Sequence, residues 1–258
     1  MRTLVLTAVL LSFTSLLHAA VQTKVIEYKQ GDQVLEGYLA WDDAATGPRP
    51  GVLVVHEWTG LGDYAKMRAR KLAELGYIAF AADIYGKGIR PATPQEAGAQ
   101  VGIYKKNPKL MRERVRAGLE VLRREPLCDP KRMAAIGYCF GGTCVLELAR
   151  SGADVAGVVS FHGGLATANP ADAKNIRGKV LVLHGGDDPH VPAKEVAAFE
   201  DEMRSAGVDW QLVVYGGAVH AFTNPTSGSD KSRGAAYNAS ADRRSWEAMK
   251  AFFGEILK

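Results

Sequence analysis

Residues 132–150 read RMAAIGYCFGGTCVLELAR. The first half, through Cys139, is an apolar run of the kind a buried strand needs. From Cys139 onward the chain runs without a loop into a helical pattern. A cysteine therefore stands at a strand-to-helix junction, with Gly137 two residues before it and Gly141 two residues after. A side chain presented on so sharp a turn needs glycines on both sides to avoid clashes. The helix that follows brings the positive end of its dipole, which favours thiolate over thiol. With 28 Gly and 3 Cys in 258 residues, this spacing is expected by chance far less than once. The competing reading, a structural cysteine buried as a small hydrophobe, explains the sulfur but not the glycines.

The pattern outward from this junction repeats its logic. Residues 23–29 and 33–41 alternate as strands around Gln30-Gly31-Asp32, a hairpin turn. GVLVVHE (51–57) and YIAFAAD (77–83) are continuous apolar runs, and DYAKMRARKLAELG (63–76) between them is an amphipathic helix closed by Gly76. Thr93 to Glu125 carries helical spacing broken at Asn107-Pro108. Three further strands fall at 155–163, 179–186 and 210–217, with helices at 192–207 and 243–257. The tract 225–242 is polar and reads as a loop containing Asn238-Ala239-Ser240, a short match to a glycosylation acceptor. Strands alternating with helices predict a single α/β domain with a mostly parallel sheet covered on both faces.

Composition excludes several classes. The chain is 47% hydrophobic and 23% charged, enough apolar residues for a large core. A net charge of +4 is too small an excess to indicate nucleic acid. The basic residues of 105–124 read as a solvated helix face. Three cysteines make no disulfide scaffold. Cys128 and Cys144 are expected to stay reduced and partly buried. Residues 1–20, MRTLVLTAVLLSFTSLLHAA, have one early positive charge, an apolar middle and small residues at the end. That predicts a secretory signal cleaved after Ala19 or Ala20, and hence a periplasmic or secreted domain spanning 21–258. The apolar stretch is too short to span a bilayer, so no membrane association is expected after cleavage.

A nucleophilic cysteine needs a base and a group to orient it. In α/β-hydrolase topology these follow in the order nucleophile, acid, histidine, each at a strand's C-terminal end. Asp187 and Asp188 follow the strand at 179–186, and His220 follows the strand at 210–217. The order fits. Spacing alone does not choose between the two aspartates. His184, Asp187, Asp188 and His190 are too irregularly spaced for a metal site. The loop HEWTG (56–60) and the residue after the cysteine would supply an oxyanion hole from the amides of Trp58 and Phe140. Glu57 beside a thiolate would raise its pKa unless it took or relayed the proton.

Taken together, HEWTG, DIYGKG (83–88), GYCFGG, HGGDDPHVP and YGGAVHAF resemble the dienelactone hydrolase family of α/β hydrolases over about residues 25–257. The resemblance implies hydrolysis of a small-molecule lactone or carboxylic ester, without metal or organic cofactor, by a Cys139-His220-Asp188 triad. Its Asp-x-x-Val-Pro pattern falls on Asp188, and its glutamate, which helps form the thiolate, falls on Glu57. The two arginines that bind a substrate carboxylate in the family fall on Lys87 and Asn224, so an anionic clamp is weakened. A broad carboxylesterase or thioesterase acting on neutral esters is the near alternative. A non-catalytic exported binding domain is the remote one. The domain is expected to be a monomer.

Overall fold

The computed structural model describes residues 20–44 and 46–258. The signal sequence expected over 1–20 lies, but for Ala20, outside the described residues. Eight strands, β1 (Val21–Gln30), β2 (Gln33–Asp42), β3 (Arg49–Val55), β4 (Ile78–Ala82), β5 (Cys128–Tyr138), β6 (Gly157–Phe161), β7 (Lys179–Gly185) and β8 (Trp210–Tyr215), form one sheet in the order β1-β2-β4-β3-β5-β6-β7-β8. β1 pairs antiparallel with β2, and β2 with β4. The other pairings, from β4 through β8, are all parallel. Parallel neighbours place their C-terminal ends along one edge, so the loops that follow β3 through β8 gather there.

Period-two burial divides the core into two layers. Leu53, Val55, Phe80 and Ala82 point to one face, against Met111, Val115, Cys144 and Val145. Val52, Val54, Ala79 and Ala81 point to the other, against Ala65, Ala69, Met249 and Phe252. The first layer is built by helices α2 (Pro94–Lys105), α3 (Pro108–Arg123), α4 (Phe140–Arg150) and α5 (Ala193–Ala206). The second is built by α1 (Asp63–Glu74) and α6 (Ala239–Ile256). Under such cover the central stretches of β3 to β6 are mostly apolar, which is why they read as apolar runs.

The expected break at Asn107-Pro108 is real. Thr93 caps α2 by accepting from the Glu96 amide, Asn107 caps α3 by accepting from the Leu110 amide, and each helix starts on a proline. Two expectations are corrected. The tract 225–242 is not all loop: α6 begins at Ala239, four residues before the expected start, because the Asn238 side chain accepts from the Ala241 amide. That cap spends the asparagine of the Asn-Ala-Ser match on the helix. β5 starts at Cys128 rather than 132, paired with Arg49 before a bulge at Pro50/Gly51. No helix among the described residues is long and apolar enough to cross a membrane.

Candidate active site

Cys139 sits between β5 and α4 with φ 54° and ψ −116°, a left-handed conformation that costs a side-chain-bearing residue energy. The surrounding glycines explain how the chain tolerates it. A Cβ on Gly137 would stand 1.9 Å from the Gly141 carbonyl oxygen, and one on Gly141 would stand 2.3 Å from that of Val55. A Cβ on Gly142 would meet Ser160 Oγ at 2.5 Å. The turn is tight because backbone passes where side chains would be. The Phe140 amide is the first N–H of α4. It and the Trp58 N–H are both left without a partner among the described residues.

His220 stands on the loop after β8, pinned by its amide to the Gly234 carbonyl and by its carbonyl to the Ala236 amide. Its Nδ1 lies 2.8 Å from Asp188 Oδ2. The other carboxylate oxygen of Asp188 accepts from the His190 amide at 2.8 Å. Burial works against charge on His220, yet the Cys139 sulfur and the Asp188 carboxylate outweigh it and raise the imidazole to about 10. Asp188 is itself desolvated, but hydrogen bonds from His220 and the His190 amide hold its carboxyl below the usual range. Asp187 makes no such contact. It is exposed, and its amide donates to the Ala218 carbonyl. The geometry thus separates two aspartates that spacing left equivalent.

Glu57 is buried on the loop after β3 and accepts from Asn224 Nδ2 at 2.6 Å. Burial raises its carboxyl, opposed by the Asn224 hydrogen bond and by the charges of His220 and Arg68. Asn224 is turned by Thr226, whose amide and hydroxyl both donate to its Oδ1. His56 fixes the same loop: its Nε2 accepts from the Ile84 amide, so its Nδ1 carries the proton and donates to the Glu57 carbonyl. Complete burial lowers that imidazole to about 4, which keeps it neutral. Tyr85 donates from its hydroxyl to the Trp58 carbonyl at 2.8 Å and packs against Phe140. Trp58 itself is 39% exposed.

Lys87 is placed elsewhere. Its ammonium pairs with Glu27 of β1, both side chains about half exposed, and its amide is tied to the Val34 carbonyl. The β1–β2 hairpin thus draws Lys87 to itself, and of the two residues expected to meet a substrate carboxylate only Asn224 joins the site. Arg90 is held by the carbonyls of Leu61 and Ile89 and by Asp83. Cys128 and Cys144 are free and buried. Among the described residues no group of three or more His, Cys, Asp or Glu side chains is arranged to hold a metal ion.

One set of residues near Cys139 carries no mark in the sequence. The Cys139 N–H is shared between the Phe161 carbonyl at 3.0 Å and Nδ1 of His162, after β6, at 3.1 Å, and the His162 Nε2 is 2.7 Å from Thr223 Oγ1. Thr223 continues to the Tyr64 hydroxyl at 2.6 Å, and Arg68 donates to Tyr64 and to the Thr223 carbonyl. The available signal was a histidine at yet another strand end, in VSFHGG.

A mostly parallel sheet with a cysteine on a strand-to-helix elbow, then an aspartate and a histidine on successive strand ends, has the fold of an α/β hydrolase. Within that class, residues 35–257 match the dienelactone hydrolase family, and the chain belongs to it. A dienelactone hydrolase-like promiscuous phosphotriesterase from metagenomic libraries is 42% identical, with TM-score 0.89 over 93% of this chain and all of its own. A dienelactone hydrolase from Anabaena variabilis shares the fold at 19% identity, with TM-score 0.65 over 92% of this chain and 99% of its own. A relative from Aquifex aeolicus, assigned to the carboxymethylenebutenolidases, is 28% identical over 91% of this chain and 99% of its length.

Proposed function

We propose that the protein is a thiol hydrolase of carboxylic esters or lactones, with Cys139 as nucleophile, His220 as acid–base and Asp188 as its orienting group. The observation that carries this reading is the Cys139–His220–Asp188 alignment on a strained elbow with open Trp58 and Phe140 amides. The thiolate attacks the carbonyl carbon, and the oxyanion lies on the two amides, each such donor worth about 3 kcal/mol of barrier. His220 gives its proton to the leaving alkoxide, then takes one from the water that hydrolyses the thioester. Glu57, held by Asn224, is a proton acceptor in reserve for the thiol. Turnover of a panel of lactones and p-nitrophenyl esters, with Cys139→Ala as control, tests the reading. Similarity at 42% identity to a promiscuous phosphotriesterase favours one addition to the panel, an aryl phosphotriester.

The raised imidazole has a kinetic consequence. A histidine at about 10 stays protonated through neutral pH and loses its proton as pH rises through that value. Leaving-group protonation then fails, so kcat should fall on the alkaline side with an apparent pKa near 10. Because the Cys139 charge is among the causes, NMR titration of His220 should give a lower midpoint in Cys139→Ala. An unchanged midpoint would disconnect sulfur from base.

With Lys87 engaged at the surface, the substrate is expected to be a neutral ester or lactone. An exposed ion pair contributes little, so Lys87→Ala should change the relative kcat/KM for a carboxylated ester and its methyl ester by less than about twofold. A strong wild-type preference for the carboxylate, lost in Lys87→Ala, would reverse this. We also propose export through residues 1–20, tested by the N-terminal mass of the protein recovered from outside the cytoplasm.

A further inference from the structure

We infer that His162 is a positioning residue: its ring accepts the backbone N–H of Cys139 and abuts the ring of His220, setting the nucleophile and base relative to each other, while the Thr223 hydroxyl partners the far ring nitrogen. The inference rests on the reading of Cys139 as nucleophile.

The Cys139 N–H is shared between the Phe161 carbonyl at 3.0 Å and His162 Nδ1 at 3.1 Å, and since an amide N–H can only donate, Nδ1 faces it with a lone pair. A neutral ring then carries its proton on Nε2, where the Thr223 hydroxyl oxygen waits at 2.7 Å. The far end of the chain is fixed as well. Arg68 has no acceptor to offer, and it donates to Tyr64, to the Thr223 carbonyl and, at 2.5 Å, to Asp242. Whichever of Tyr64 and Thr223 donates to the other, Thr223 remains able to accept from His162. His162, Thr223 and Arg68 are at most 2% exposed, so no water competes for these positions. Burial, with the charges of His220 and Arg68, pushes the His162 imidazole well below its usual value and keeps Nδ1 an acceptor.

Two further facts separate this histidine from one that merely fills the core. Its backbone is itself left-handed, φ 41°, so two non-glycine residues in that region, His162 and Cys139, face each other across β5 and β6. Such conformations persist where the surroundings over-determine them, and they cluster at functional sites. Its ring also meets the ring of His220 edge-on, with centroids 5.3 Å apart. One side chain thus touches the backbone of the nucleophile and the side of the base, without a place among the reacting atoms.

The test compares His162→Phe, His162→Asn and Thr223→Val with wild type by kcat, KM and thermal unfolding. Phe keeps a ring against His220 but offers no acceptor. Asn puts Oδ1 about where Nδ1 stood and tolerates a positive φ. His162→Phe should lower kcat about 10- to 100-fold, the scale of a small misplacement of a reacting group, with KM nearly unchanged. His162→Asn should recover most of that loss. Thr223→Val, similar in shape, should lower kcat because the buried Nε2–H of His162 is left without its acceptor and the ring is free to shift. Nitrogen-15 NMR of the wild-type imidazoles gives a readout independent of any variant's folding: His162 should be neutral and protonated on Nε2. An Nδ1-protonated or charged ring overturns the inference, as does wild-type kcat in folded His162→Phe, or an Asn variant no better than Phe. If Cys139→Ala retains turnover, the nucleophile reading itself has failed. If Cys139→Ala is inactive and His162→Phe is not impaired, the inference about His162 alone has failed.

Discussion

Cys139→Ala is expected to abolish ester hydrolysis, by a factor on the order of 10⁴ to 10⁶, as removal of a nucleophile does in hydrolytic triads. The protein should nonetheless unfold cooperatively near the wild-type temperature. Cys139 already carries a Cβ at φ 54°, and alanine keeps that Cβ, so the substitution adds no backbone strain. The sulfur is only partly buried, at the end of the core rather than inside it, so little packing is lost. The cost is chemical. His220 loses the charge that helps raise it to about 10, and no atom remains to attack a carbonyl. Cys139→Ser should restore a trace at most. A hydroxyl is a far weaker acid than a thiol, and a histidine balanced against a thiolate is not arranged to take its proton. Steady-state rates on the best ester of the panel, with thermal unfolding in parallel, decide the matter. Substantial turnover in folded Cys139→Ala would remove the thiol mechanism.

What the sequence made legible, and what it did not, follows from how far each interaction reaches along the chain. The elbow shows in a short motif: Gly137 is required by the Gly141 carbonyl four residues on, while Gly141 is required by the backbone of Val55 on the neighbouring strand, which the motif alone does not reveal. Strands β3 to β7 were legible because cover on both faces leaves mostly apolar residues in their central stretches, such as 52–55, 79–82 and 180–183. The start of α6 was missed because Asn238 acts through a capping bond three residues on, inside a stretch whose composition is that of a loop. Lys87 was misplaced because its partner Glu27 lies 60 residues away on a hairpin that only the fold brings near. The chain from His162 through Thr223 to Tyr64 and Arg68 joins residues up to 159 positions apart, and none has a spacing that announces it. Glu57 and Asn224, 167 residues apart, meet in the same way. Local geometry is written in motifs, whereas buried polar pairing is decided by which strand ends converge.

The two aspartates give the sharpest residue-level test. Asp188→Asn should reduce kcat by about 10⁴, the effect of the same change in serine triads, and Asp187→Asn should change it little. The Asp188 carboxylate has both oxygens committed, Oδ2 to His220 Nδ1 and Oδ1 to the His190 amide. An asparagine has one oxygen and one NH₂ for these two places. If its oxygen stays on the His190 amide, which can only donate, its NH₂ faces His220 Nδ1. The imidazole must then turn to the tautomer with its proton on Nε2, and it can no longer accept the thiol's proton. If the amide flips, two donors meet at His190 in a side chain that is fully buried. Either arrangement also removes the negative charge that helps hold His220 up, so its titration should move down toward the ordinary histidine range of about 6.5. Asp187 offers no comparable loss, since its side chain is exposed and its structural bond runs from the backbone amide. The measurement is kcat for both variants at neutral pH, with the His220 titration followed by NMR. A large loss in Asp187→Asn with Asp188→Asn near wild type would place the orienting acid one residue earlier, against the carboxylate geometry; a large loss in Asp188→Asn with an unshifted His220 would mean that Asp188 acts through the loop it braces at His190 rather than through the imidazole.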